Sequence, residues 1–152
     1  VSYTTAEGRQ QLLDETGRTA DQLARAVASL SEAYELLDER SADELESALF
    51  KPVQGAYGRA RRAHTEFARR HGLQPLEFAP AVRGAPSHGV RGFIDEATAD
   101  ALAADAVLAE LQDSLLPVEV GDAELRADLS AVRTQLADVA RHARELTRTL
   151  GR

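Results

Sequence analysis

The stretch Leu13–Leu37, LDETGRTADQLARAVASLSEAYELL, decides the fold. Its residues Leu13, Thr16, Ala20, Leu23, Val27, Leu30, Tyr34 and Leu37 alternate steps of three and four along the chain. A helix gathers such positions into one stripe, whereas a strand would need apolar residues at every second place. Thr4 and Glu7 upstream have the form of a capping box, so the first helix is expected over residues 5–39. Gly8 and Gly17 weaken its first half, each by about 1 kcal/mol relative to alanine.

The same spacing returns three times. Ser41 and Glu44 form a second capping box, followed by Leu45, Leu49, Val53, Ala56, Ala60, Ala63 and Phe67. This predicts a helix over 42–71, kinked or restarted near Pro52 because proline lacks the amide that a helix interior needs. Ile94, Ala97, Ala101, Ala104, Leu108, Leu111 and Leu115 predict a third helix over 94–115, ended by Pro117 and Gly121. Leu125, Leu129, Val132, Leu136, Val139, Ala143, Leu146 and Leu150 predict a fourth over 122–150, with Asp122 as its N-cap. Four such seams favour near-aligned packing. The expected fold is all-α: one domain over 1–152, an antiparallel up-down-up-down four-helix bundle.

Between these halves the period vanishes. Residues 72–92 hold Pro75, Pro80, Pro86 and four glycines, a long connection for a compact domain. Leu73, Leu76, Phe78, Val82 and Val90 make it too apolar for a solvated linker. It is expected as an ordered loop packed on the third helix or over one end of the bundle. Leu102, Ala103, Ala106, Val107 and Ala109 widen the apolar side of that helix, either to receive this loop or to form a homodimer or protein-partner interface.

Composition narrows the chemistry. There is no cysteine, so thiolate metal sites, disulfides and cysteine nucleophiles are out. No stretch approaches the roughly 20 apolar residues of a membrane span, and the cytoplasm is the expected compartment. The net charge of -7 speaks against non-specific nucleic-acid binding. Arginine supplies every basic residue except Lys51, a skew attributed to a G+C-rich genome. Charge is nevertheless segregated: residues 1–50 and 92–152 are acidic, and 51–91 form a basic island containing Arg59, Arg61, Arg62, Arg69 and Arg70. These arginines either pair with acidic neighbouring helices or hold an anion in bidentate fashion.

Phe50, Tyr57, His64 and His71 recur every seven residues on one flank of the second helix. The candidate ligand site is therefore Tyr57, His64 and His71 under the Pro/Gly loop, with Arg61 as anion contact and His88 supplied by the loop. The competing reading is a boundary stripe whose ring edges reach solvent. His64 and His71 lie about 10.5 Å apart along the axis, too far to share a metal. The Glu-x-x-His pairs of a di-iron bundle are missing, as are zinc-protease, phosphate-loop, dinucleotide and EF-hand signatures. Ser87 stands beside His88 in the loop, but adjacent side chains seldom point at each other. No cofactor or metal is expected. The expected role is non-catalytic: an interaction or scaffold module that self-associates, with small-anion or small-molecule binding at the stripe as the alternative.

Overall fold

The computed structural model describes residues 5–78 and 89–150. Among these the chain is all-helical, without a strand. The elements are α1 (Thr5–Glu35), α2 (Glu39–Leu45), a π-type turn (Glu46–Phe50), α3 (Lys51–His71), α4 (Gly89–Asp113), α5 (Leu116–Val120), α6 (Ala123–Leu136) and α7 (Val139–Leu150).

The ends of these helices follow from side chains. α1 stops four residues earlier than the spacing predicts, and the second helix begins earlier too. Its cap is Asp38, which accepts from the Ser41 amide at 2.8 Å, rather than Ser41 itself. Asp122 caps α6 as expected, accepting from the Leu125 amide at 2.8 Å. The break foreseen at Pro52 is a π-type turn immediately before α3, where the Lys51 amide bonds the Glu46 carbonyl. Pro52 has no amide to offer Ala48, four residues back. The Ala48 carbonyl instead accepts from His142 Nδ1 of α7 at 3.1 Å. Pro117 does not close the third helix: Leu115, in the left-handed region at φ 64°, ends it, and Pro117 opens the short α5. Two turn residues, Ala137 and Asp138, separate α6 from α7.

Leu23, Leu30, Leu49, Val53, Phe67, Ile94, Leu108, Leu125, Val132 and Val139 belong to one buried cluster drawn from nearly every helix. The stripe on α1 drifts. Its lower part is buried as expected, but beyond Leu23 the core takes Ala26, Leu30 and Ala33, leaving Val27 half-buried and Tyr34 exposed. A straight helix turns once in 3.6 residues, so a stripe spaced at 3.5 walks off the contact unless the helices supercoil. α1 packs most extensively on α4 and next on α3; α3 packs on α6, and α4 on α7 and α6.

Cross-helix pairs give the directions. Tyr34 meets Phe50 at one end of α1 while Thr16 meets His64 toward the other, so α1 and α3 are antiparallel. Arg70 reaches Asp122 and Arg59 reaches Asp128, which makes α3 and α6 antiparallel as well. Arg133 bonds Asp105 whereas Ser130 bonds Gln112, so α4 runs against α6. Arg25 pairs with Asp100, while Leu108 shares a layer with Thr16 and Thr19, so α4 also runs against α1. The expected up-down alternation is thereby corrected: α3 and α4 point the same way and share at most a marginal contact.

This explains the long connection. Residues 72–88 join the foot of α3 to the head of α4, about 35 Å away by the rise of a 25-residue helix. An extended chain of that size reaches roughly 60 Å, so the span is feasible. Gly89–Gly92 belong to α4, so the connection is shorter than the expected 72–92. In its described part, Leu76 seats on α1 and α3.

Candidate functional site

The α3 stripe is the natural place to look for chemistry. Phe50 and Tyr57 are half-buried, His64 is completely buried, and His71 is half-buried. His64 is the side chain over which the connection closes. After the left-handed Gly72 caps α3, residues 73–78 turn back along it as a strap. The Leu76 amide donates to His64 Nε2 at 3.0 Å. That bond assigns the ring proton to Nδ1, which donates to Thr16 Oγ1 at 3.0 Å. Thr16 in turn donates to the Leu13 carbonyl, also at 3.0 Å. Phe78 sets its edge against the His64 ring, with centroids 5.3 Å apart. Burial pushes the His64 pKa below its ordinary 6.5, against the pull of the Leu13 carbonyl and the Asp14 charge.

Gly17 completes this arrangement. A Cβ there would collide with Leu76 Cδ1 and stand 3.2 Å from His64 Cε1. The glycine that weakens α1 locally therefore opens the notch in which the strap lies.

His71 turns to a different neighbour. Its Nε2 donates to Asp122 Oδ2 at 2.8 Å, beside a bidentate fork from Arg70 whose bonds are 3.0 and 2.9 Å. Arg70 also reaches Glu124 at 2.9 Å. Asp122, 5% exposed, thus caps α6, pairs with Arg70 and fixes His71. Burial alone would raise its pKa, but the Arg70 fork, the Leu125 amide and the His71 bond outweigh that and hold it low. Phe67 stacks tilted on His71 at 4.5 Å.

Tyr57 and Arg61 lie further up α3, with Arg61 Nη1 donating to the Tyr57 hydroxyl at 3.3 Å. The Arg61 guanidinium stands 5.8 Å from the Phe78 ring centroid. Through Phe78, Tyr57, Arg61 and His64 share one neighbourhood, while His71 belongs to the Asp122 cluster. His88 lies outside the described residues, as does Ser87.

The basic island divides. Arg59 and Arg70 pair inward with acidic residues of α6 and its cap, Asp128 and Asp122. Arg61, Arg62 and Arg69 are exposed and form no ion pair among the described residues. Among the described residues there is also no group of three His, Asp or Glu able to hold a metal, and no helix long and apolar enough to cross a membrane.

Sequence reasoning missed Thr16, Gly17, Leu76 and Phe78. A glycine in the interior of a strong helical period was the one signal that pointed to them. An open groove of about 470 Å³ at the opposite side, lined by Gln112, Val118, Arg126 and Ser130 among others, was not foreseen either. No protein-family model matches this chain, and neither a curated protein nor a solved structure is detectably similar to it.

Proposed function

We propose that the chain is a non-catalytic interaction module: four rods, formed by α1, α2 with α3, α4, and α6 with α7, packed as a bundle that self-associates through the outer face of α4. One observation carries this reading. Leu102 is 46% exposed in the middle of α4, flanked by exposed Ala99 and Ala106 and half-buried Ala103. Exposed leucine is ordinary when isolated, but a flat row of alanines around it lets a second helix approach closely. A two-fold axis through Leu102 would bury the same patch on both copies. Among the described residues His64, His71 and His142 are each held by structural partners, which supports a non-catalytic role.

Light scattering tests it. The wild type is expected at twice the monomer mass of 16.4 kDa, and Leu102→Glu at the monomer mass with unchanged circular dichroism. A wild type that stays monomeric at high concentration removes this reading.

The exposed Arg61, Arg62 and Arg69 favour a second reading, in which this side of α3 holds a small anion. Arg61 is already oriented by Tyr57 and Phe78, which lowers the entropy cost of binding. Sulfate at ten times its dissociation constant is expected to stabilise the wild type by about 1.4 kcal/mol. Arg61→Ala should lose most of that gain, and equal stabilisation of both proteins dismisses the site.

A further inference from the structure

We propose that Thr16, His64 and Leu76 form a proton-operated latch: one proton added to His64 releases the strap of residues 73–78 from the notch between α1 and α3. The geometry leaves the imidazole no room for a second proton. Nε2 faces the Leu76 amide, a donor, so an Nε2–H would set donor against donor. Nδ1–H already uses Thr16 Oγ1, whose own proton is committed to the Leu13 carbonyl. The ring has no exposed edge, so an imidazolium cannot reach water while the strap is down.

Lifting the strap solves this without opening the domain. Leu76 is 43% exposed and rests on Gly17, Leu73 and Phe78 are half-buried against the edge of the core, and the buried cluster that joins α1 and α3 contains no strap residue. Elements with few buried contacts open before the whole domain does. The charged surroundings are mixed. Asp14 on α1 favours the proton. Arg61 on α3, over Phe78, opposes it. Glu77 on the strap is exposed, and on the α6 side Asp128 is neutralised by Arg59. Burial then decides, in agreement with the lowered pKa of the closed ring.

The sign follows from linkage. The open ring titrates near the ordinary 6.5 and the closed ring below it. The open form therefore binds more protons, and acid favours it. Each pH unit below 6.5 raises the open population about tenfold, until the closed-state value is passed. The released form presents Leu76 and Phe78 and uncovers the polar pair Thr16 and His64. It is distinct from self-association through α4, which uses none of these residues.

Amide exchange measured by NMR on the full chain between pH 7.5 and 5 tests the latch. The protection factor of Leu76, corrected for intrinsic exchange, is expected to be flat above pH 7 and to fall about tenfold per unit below 6.5. Leu23 and Val132 should keep theirs. His64→Gln, which retains an acceptor but cannot titrate, should hold Leu76 protected throughout. Protection of Leu76 that ignores pH, that falls in step with Leu23 and Val132, or that falls equally in His64→Gln overturns the proposal. Should that variant not fold, the nitrogen-15 shifts of the wild-type His64 ring decide. They must titrate below the ordinary 6.5, at the pH where Leu76 protection is finally lost, and a ring that titrates at 6.5 or above while Leu76 stays protected sinks the latch.

Discussion

Asp122→Ala is expected to lower the unfolding free energy by about 3–5 kcal/mol, the range for removing one partner of a buried ion pair. The carboxylate is 5% exposed and holds three structural jobs together. It caps α6 through the Leu125 amide, takes the Arg70 fork, and fixes the His71 ring at the foot of α3. Alanine removes the cap, worth about 1 kcal/mol by itself. It also leaves the Arg70 guanidinium, 19% exposed, with only the solvated Glu124. Asn keeps the capping oxygen, so Asp122→Asn should fall between the two. Urea unfolding monitored by circular dichroism gives the ranking, and equal stability of Asp122→Ala and wild type would show that the cluster contributes nothing net. A pH dependence accompanies it. The folded Asp122 pKa lies below its ordinary 3.8, so its contribution is present above that value and is lost as pH falls through the lowered one. The alanine variant should lack that part of the acid limb.

Phe67→Ala should be as severe, about 3–5 kcal/mol, because it empties a fully buried site at the same end of the core. The mechanism is different: a cavity rather than an orphaned charge. The urea midpoint should fall with little change in slope, since the surface exposed on unfolding hardly alters. Phe67 also supports the His71 ring that bonds Asp122. The double variant with Asp122→Ala should therefore lose less than the two single losses combined, which a double-mutant cycle reads directly. Strict additivity would mean that the ring contact does not couple the two sites.

The helices themselves were legible before any coordinates. Leu45, Leu49, Val53, Ala56, Ala60, Ala63 and Phe67 are buried as their spacing predicts, and Asp122 caps where predicted. Each of these signals is local: a period within one helix, or a side chain reaching an amide three residues ahead. The candidate site was legible only in outline. A seven-residue spacing placed Tyr57, His64 and His71 on one flank of α3, but it could not distinguish a ring left at the margin from one sealed by a strap. His64 is sealed because Gly17 leaves a notch and Leu76 brings a donor into it, and the three residues are far apart in the chain. His142 is similar, since its partner carbonyl is freed by a proline on another helix.

By itself, then, the sequence determined that this chain is helical, roughly where the helices lie, and which face turns inward except along the upper part of α1, because those properties depend on residues within a few turns of one another. Only the tertiary structure decided that α3 and α4 run the same way, that Arg59 and Arg70 pair with α6, and that His64 is closed over. A connection as long as residues 72–88 permits either direction for α4. The choice among such arrangements is made by which faces and charges meet across helices, and no periodicity within a single helix encodes that.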